Sequence, residues 1–441
     1  MKWILIQPKY KYNVAFPLSI ATVATYLTKH IKEEVKCFDA NLQSLDSIFK
    51  YIKESGFKPD IIGFSLTNVT EKETFKYCKK IKKELPKVKI MLGGATTKIE
   101  YNEFLQNKFV DFCCNIDIEQ IGKKIKKPLK IKDLYSLPGI SFRNGGGKIV
   151  VNPSEPLEDI NFFKFPDRKL DFISYKKYLP PEIIAEKHPV TILTSRGCPY
   201  NCTYCASSRI CGKKTLMRSV DKVVEELKYL RKLGHNSFVF EDYEMLVDIK
   251  RTKEICKDLK KNKSQWILKT RVEKINDEIA KMLVQSGCLV VYLGVETVTK
   301  KAIWGANKFN ITKESVTNAI THLKNNNIRV CASIQFGLPD DTESTFIKNT
   351  VLLLKKLLDP KKDMVQLHFT TLFPGTALYD KYKDKGVYIN IHKDLPKVVA
   401  HGLEGHVMPH LNEKVIKKMY YKVNEMLGDL LSKKAIWTQN N

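Results

Sequence analysis

The feature that most constrains this chain is an alternation of short apolar, β-branched runs with amphipathic stretches, and it occurs twice. In residues 1–125 the strand candidates are Lys2–Gln7, Val35–Asp39, Asp60–Ser65, Lys89–Gly93 and Val110–Cys114. Helical spacing fills the gaps at Pro17–Lys29, Leu45–Ser55, Lys72–Leu85 and Ile99–Asn107. Such alternation predicts a parallel sheet covered on both faces. Ligands in such sheets bind beyond the carboxyl ends of the strands, at a topological switch point. The pattern resumes at Val190, with strands expected at 190–194, 237–240, 265–270, 289–295, 329–335 and 364–370. Helices are expected at Val220–Leu233, Lys250–Lys261, Asp277–Ser286, Lys313–Asn325 and Thr342–Leu357. Six such βα steps predict a partial (β/α)6 TIM barrel, open on one side, with its chemistry at the carboxyl ends of the strands.

Two other segments frame these repeats. Residues 126–189 read as a connector, in which Asn144-Gly-Gly-Gly147 between two apolar runs predicts a β-hairpin. Residues 386–441 read as a small, mainly helical C-terminal region. In it, Glu413–Lys433 is periodic, with Val415, Met419, Val423, Met426 and Leu430 spaced for one face. The expected divisions are therefore 1–125, 126–189, 190–385 and 386–441. His401, His406 and His410 lie near one another, but glycines and a proline intervene and a loop is the simpler reading.

Between the strand Val190–Thr194 and the next helix stands Thr194-Ser-Arg-Gly-Cys-Pro-Tyr-Asn-Cys-Thr-Tyr-Cys-Ala206. Cys198, Cys202 and Cys205 form a Cys-x3-Cys-x2-Cys array, and three thiolates so close in sequence can close on one metal centre. A structural zinc site wants four ligands, which would need a further thiol such as Cys211. An ordinary iron–sulfur cluster also takes four cysteines. A cubane held by only three leaves one iron open to an external ligand. Eleven cysteines in 441 residues, an odd number, do not form a secreted disulfide framework. No apolar run reaches the length of a membrane span and the N-terminus is no signal peptide, so a cytoplasmic protein is expected.

With an aromatic, Tyr204, just before the third cysteine, this loop resembles the cluster loop of the radical S-adenosylmethionine (SAM) enzymes. The resemblance implies a [4Fe–4S] cluster whose open iron chelates SAM. One electron then cleaves SAM to methionine and a 5′-deoxyadenosyl radical, which abstracts a hydrogen atom. It further implies SAM contacts at the strand ends. Glu241 and Asp242, after the second strand of the barrel, would receive the SAM amino group. Arg271 would pair with its carboxylate, Glu296 of Tyr292-Leu-Gly-Val-Glu296 would lie near the ribose or methionyl group, and Gln335 opens a loop that packs on adenine.

The N-terminal segment is similar to the Rossmann-like cobalamin-binding domain that precedes many of these enzymes. Pro17-Leu18, Asp39-Ala40, Ile61-Ile-Gly-Phe-Ser65 and Met91-Leu-Gly-Gly-Ala95 carry the likeness. Ser65, Thr67, Gly93, Gly94 and Thr96 are the candidate cobalamin contacts. The Asp-x-His-x2-Gly motif that supplies a histidine to cobalt is absent, and His30 is the only histidine in 1–125. The family's Gly-Glu-Gly-Glu after the fifth strand is here Asn115-Ile-Asp-Ile-Glu-Gln120. The hairpin and the Pro-Asp-Arg arm ending at Arg168 also follow the family order, and the arm is expected to wrap the junction of the domains.

The expectation is a cobalamin-dependent radical SAM enzyme, foremost a methyltransferase acting on an unactivated carbon or phosphorus centre. The alternative is a radical SAM enzyme performing cyclisation, oxidation or coupling without methyl transfer. Methylation through a C-terminal cysteine carrier is disfavoured, because no cysteine follows Cys331. An external electron donor of flavodoxin or ferredoxin type is implied. The excess of 75 basic over 48 acidic residues, +27 in all, favours anionic partners, whether nucleic acid, an acidic lipid surface or an anionic substrate, but lysines scattered over amphipathic helices such as Lys79–Glu84 are the simpler reading. A metal-binding module that holds RNA is the reading of a different class. No Arg-rich aromatic patch or nucleic-acid module supports it.

Overall fold

The computed structural model describes residues 1–9, 16–125, 129–154, 156–169, 189–390 and 404–431. They fall into two compact units, 1–169 and 189–431.

The first unit is built on a seven-stranded sheet: β1 (Lys2–Gln7), β2 (Glu34–Asp39), β3 (Ile61–Ser65), β4 (Lys89–Gly93), β5 (Phe112–Cys114), β6 (Ile140–Arg143) and β7 (Ile149–Val151). Their spatial order is β2-β1-β3-β4-β5-β6-β7. The first five are parallel. Helices α1 (Leu18–Lys29), α2 (Leu45–Ser55), α3 (Glu71–Glu84) and α4 (Thr97–Gln106) make the crossovers, and a short α5 (Ile131–Leu134) precedes β6. Side chains alternate across the central strand. Ile4 and Ile6 enter one core, while Trp3 and Leu5 enter the other. That double burial is why β1 reads as an unbroken apolar run. Cys113 and Cys114 divide between the same two cores, as adjacent residues on a strand must. The chain leaves β1 and β3 in opposite directions, so their carboxyl ends form the switch point.

The hairpin expected in a separate connector is part of this sheet. β6 pairs antiparallel with β5 and β7 with β6. The arm after it lies along α1: the Asp167 backbone N–H donates to Thr25 Oγ1 at 2.7 Å, and Arg168 stacks over Phe16 at 4.7 Å. Expectations for residues 170–188 fall outside the described residues.

The second unit holds six parallel strands in sequence order: β8 (Val190–Ile192), β11 (Ser237–Phe240), β12 (Gln265–Arg271), β13 (Cys288–Glu296), β14 (Arg329–Phe336) and β15 (Met364–Phe369). Two two-residue strands, β9 (Ser195–Arg196) and β10 (Leu216–Met217), pair antiparallel between β8 and β11. The outer helices are α7 (Val220–Lys232), α8 (Ile249–Lys261), α9 (Asp277–Gln285), α10 (Lys300–Gly305) and α11 (Lys313–Asn325); α6 (Ser207–Cys211) lies inside the β9–β10 loop. The helix after β14 runs as α12 (Glu343–Phe346) and α13 (Leu352–Leu357), joined by a π-helical turn. The sheet runs from β8 to β15 without those two pairing, which is the open partial barrel.

The C-terminal region closes on the β15 side. After α14 (Ala377–Tyr382), strands β16 (Val387–Asn390) and β17 (Glu404–Val407) form an antiparallel ribbon. Helix α15 (Glu413–Leu427) follows, and the Val365 N–H then donates to Leu430 O at 2.7 Å. The buried stripe of α15 is Ile416, Met419, Tyr420, Val423 and Leu427. Val415 and Met426, assigned to that face from sequence, are only partly covered, because the stripe follows Ile416 and Tyr420. The helix ends at Leu427, not near Lys433. His401 lies outside the described residues. His406 packs edge-on against Tyr388 at 5.4 Å, and burial lowers the His410 imidazole below its usual pKa. Among the described residues no helix is long and apolar enough to cross a membrane.

A buried and a half-buried carboxyl give the fold a pH dependence. Asp341, after β14, is pushed up to about 7 by burial, and Glu100 on α4 also to about 7, by burial and then by Glu71 and Glu103. Both bind protons more tightly folded than unfolded, so their contribution is full below the unfolded value and lost as pH rises through about 7. The melting temperature is expected to fall between about pH 5 and about pH 8. The Asp341→Asn, Glu100→Gln double variant, followed by thermal melts, should flatten that slope.

Candidate functional site

The loop carrying the three cysteines is pinched off at its base by the β9–β10 pairing, Ser195 opposite Met217 and Arg196 opposite Leu216. Gly197 begins it at φ +94°, and a Cβ there would collide with the Lys214 carbonyl oxygen. The Cys198 N–H donates to Gly212 O at 3.2 Å, across the loop. Its far side is tied to α10: the Thr203 N–H donates to Ala306 O at 3.1 Å, and Thr203 Oγ1 to Gly305 O at 2.9 Å. Cys198, Cys202 and Cys205 are each half-buried. Burial, and then the other two thiols, push the Cys198 thiol up to about 11. A bound metal reverses that preference by holding thiolates.

The donor set fits a cluster better than a single ion. Among the described residues no three His, Cys, Asp or Glu side chains converge closely enough to hold one metal ion. A tetrahedral zinc would draw its sulfurs in to about 2.3 Å from a common centre. Cys211, the further thiol a zinc site would recruit, sits 3.5 Å from Tyr243 Oη. Cys198, Cys202 and Cys205 would take three corners of a cubane, while the Cys211 thiol has Tyr243 as its partner.

The other expected residues lie at the carboxyl ends of neighbouring strands. Glu241 and Asp242 follow β11 but differ in role. Asp242 is fully buried; its Oδ1 accepts from the N–H groups of Thr194 (2.6 Å) and Ser195 (2.8 Å), and its Oδ2 from Thr194 Oγ1. Its oxygens thus hold the root of the cysteine loop, partners the sequence did not reveal. Glu241 pairs with Lys269 at 2.6 Å; burial raises its pKa and Lys269 opposes the rise. Arg271, the last residue of β12, touches the loop itself, through Cys202 Sγ at 3.4 Å and the Tyr200 ring. Glu296 ends β13 in the left-handed region at φ +58°, after a register irregularity between Gly294 and Glu296. Such irregularities re-aim a side chain at a strand end. The Tyr204 phenol is pushed up by burial and then by Glu296, Cys202 and Cys205, with Arg271 opposing. Gln335 donates to Thr370 Oγ1 at 3.0 Å.

Two buried side chains here escaped the sequence reading. Lys308 is 3% exposed and bonds Glu296 Oε1 at 2.9 Å and Gly294 O at 2.8 Å. Glu244 accepts from Thr270 Oγ1 at 2.6 Å and from the Arg271 N–H at 2.9 Å, tying the β11 loop to the end of β12. Neither has a motif; a lysine among many lysines carries no signal of burial.

In the first unit, the corrinoid candidates lie on the loops leaving β3 and β4, where Ser65 and Gly93 are register partners. Gly94 has φ +104°, and a Cβ there would lie 2.6 Å from Leu66 O, so only glycine lets these loops meet. Gly93 differs: its missing side chain would meet nothing closer than Phe64 O at 3.8 Å, which leaves room at the strand end. Ser65 Oγ lies 2.9 Å from Ser19 Oγ on α1. Thr67 caps the turn at Asn68–Thr70, and Thr96 is buried where α4 begins. His30 ends α1, stacked on Tyr26 at 5.1 Å. Because α1 returns antiparallel to the strands, His30 is at the opposite edge of the sheet from these loops. A ligand bound at the carboxyl edge would receive no histidine from it.

Two glycine substitutions separate loop geometry from general strain. Gly212 also has a positive φ (+88°), but a Cβ there meets nothing within 4 Å. Gly212 stands at φ +88°, ψ +156°, a region nearly confined to glycine, so Gly212→Ala should cost about 1–3 kcal/mol and retain iron. Gly197→Ala must displace backbone and should lose most iron and sulfide after anaerobic reconstitution, measured by metal analysis and charge-transfer absorption.

The B12 binding domain family matches residues 11–119, and the Radical SAM superfamily matches residues 192–352. An uncharacterized methyltransferase of Pyrococcus horikoshii is 29% identical over 377 residues, covering 82% of this chain and 78% of that protein. The anaerobic magnesium-protoporphyrin IX monomethyl ester cyclase of Rubrivivax gelatinosus is 25% identical over 402 residues, covering 87% and 70%. Among solved structures, the radical SAM methyltransferase TsrM of Kitasatospora setae, with cobalamin and a [4Fe–4S] cluster bound, superposes with a TM-score of 0.71. That alignment, at 16% identity, covers 87% of this chain and 78% of that one, and is a likeness of fold. A B12 binding domain followed by a radical SAM domain places this chain in the cobalamin-dependent radical SAM enzymes, whose cofactors are a [4Fe–4S] cluster, SAM and cobalamin.

Proposed function

We propose that this enzyme is a methyltransferase that methylates an unactivated carbon or phosphorus centre. The observation that carries the proposal is the pairing of a Cys-x3-Cys-x2-Cys loop with a B12 binding domain in one chain. Its methyltransferase relatives support the same reading. When bound, the cofactors would supply a 5′-deoxyadenosyl radical from SAM, hydrogen-atom abstraction and a transferable methyl group. The protein's part is to hold and orient. Cys198, Cys202 and Cys205 would ligate the cluster. Glu241 offers a carboxylate to an ammonium, and Glu296, fixed by Lys308, offers another toward the same strand ends. Gln335, held by Thr370, would face adenine. Ser65, Thr67 and Thr96 would donate hydrogen bonds to a corrinoid that approaches the backbone at Gly93 and Gly94. Electrons would come from an external donor of flavodoxin or ferredoxin type, and the +27 charge suits an anionic substrate.

The likeness to the cyclase keeps a second reading, radical cyclisation, oxidation or coupling without methyl transfer. Product mass separates the two: a gain of one methylene supports methylation, a loss of hydrogen supports the second.

Two variants test the cofactor assignments separately. Cys202→Ala should abolish reductive SAM cleavage, read as 5′-deoxyadenosine, while corrinoid binding persists. Gly93→Leu should fold, given the open space at its Cβ position, yet weaken corrinoid retention roughly tenfold or more, about 1.4 kcal/mol. Unchanged corrinoid absorbance in Gly93→Leu would place the corrinoid elsewhere.

A further inference from the structure

The guanidinium of Arg271 is held on three sides. Nη1 donates to Cys202 Sγ at 3.4 Å. Its plane lies over the Tyr200 ring, 4.0 Å from the centroid. Nε donates to the Glu273 carboxylate. Two of these partners, Tyr200 and Cys202, belong to the cysteine loop, while Arg271 and Glu273 belong to the barrel. The other Glu273 oxygen, Oε2, is buried and has no hydrogen-bond partner. These contacts turn the arginine toward a ligating sulfur and not only toward a SAM carboxylate, the role read from sequence.

Building on the family reading above, we propose that Arg271 is a positioning residue that sets the reduction potential of the cluster by hydrogen bonding to the Cys202 thiolate. Reduction transfers one electron from the external carrier, which is oxidised, to the cluster, which passes from the 2+ to the 1+ state. The added negative charge spreads onto the ligand sulfurs. A cationic donor on one of them stabilises the reduced state more than the oxidised state, and the potential rises. Tyr200 holds the guanidinium plane in register with the sulfur. Glu273 works the other way. Its carboxylate cancels part of the guanidinium charge where water screens little, and so lowers the potential.

The opposed signs make the test specific. The full chain is reconstituted anaerobically with iron and sulfide, SAM is omitted, and the reduced-cluster EPR signal is followed in a potentiometric titration. Arg271→Met should lower the midpoint by a tenfold or larger change in the reduction equilibrium, about 59 mV for one electron. Arg271→Lys, which keeps charge but not the fork, should fall between. Tyr200→Leu, which leaves every charge in place, should lower it less than Arg271→Met. Glu273→Gln should raise it. A residue that merely packs would leave these midpoints together. If Arg271→Met holds its cluster at an unchanged midpoint while SAM binding weakens, the arginine serves the SAM carboxylate and the proposal is overturned. Should that variant lose its iron, the Tyr200→Leu and Glu273→Gln pair decides: no shift, or shifts of one sign, overturns it. Failure of the unmodified protein to assemble a four-iron cluster would instead overturn the family reading.

Discussion

A buried carboxylate at the root of the cysteine loop underlies the rest of the site. Asp242 takes the Thr194 and Ser195 N–H groups and the Thr194 hydroxyl, and so fixes how the chain turns out of β8 into the loop. Around it stands a cationic frame. Arg251 donates to Thr194 O at 3.1 Å and Arg218 O at 2.8 Å, and Arg218 donates to Leu193 O at 3.1 Å and pairs with Glu226 at 2.5 Å. Arg218 and Glu226 are buried, so removing one leaves the other uncompensated, at a typical cost of about 3–5 kcal/mol. A loop anchored this firmly can present three thiols in one geometry although Cys198, Cys202 and Cys205 stand outside any helix or strand.

The second half of the design is the meeting of loop and strand ends. The β12 and β13 ends reach the loop through different chemistry, Arg271 by hydrogen bond and stacking, Glu296 through the charge felt by Tyr204. Glu296 needs a left-handed backbone and the buried ammonium of Lys308 to sit where it does. Strain of that kind at the carboxyl end of a barrel strand is typical of a working site.

Much of this was legible in the sequence because period and spacing carry it. The unbroken apolar run of β1 announced a strand buried on both faces, and Cys198, Cys202 and Cys205 announced an open cluster. Side-chain partners were less legible. Glu241 and Asp242 are adjacent acids after the same strand, yet one pairs with a lysine and the other binds backbone; only the path of β8 toward β11 separates them. Lys308 and Glu244 have no motif, because burial of a charge is set by tertiary neighbours and not by spacing. The hairpin Ile140–Val151 was legible, but its partner was not, since pairing with β5 is a long-range choice. The buried face of α15 shares Met419 and Val423 with the expected one but is completed by Ile416, Tyr420 and Leu427, because tertiary neighbours set which flank of the stripe is covered.

The account stands on a cubane gripped by three thiolates with one iron left for SAM. Mössbauer spectroscopy of iron-57-reconstituted protein, recorded before and after addition of SAM, tests it most directly. The predicted result is a [4Fe–4S] spectrum in which one iron alone changes its isomer shift when SAM is added. A spectrum unchanged by SAM, or protein that retains zinc and no cubane, would contradict it.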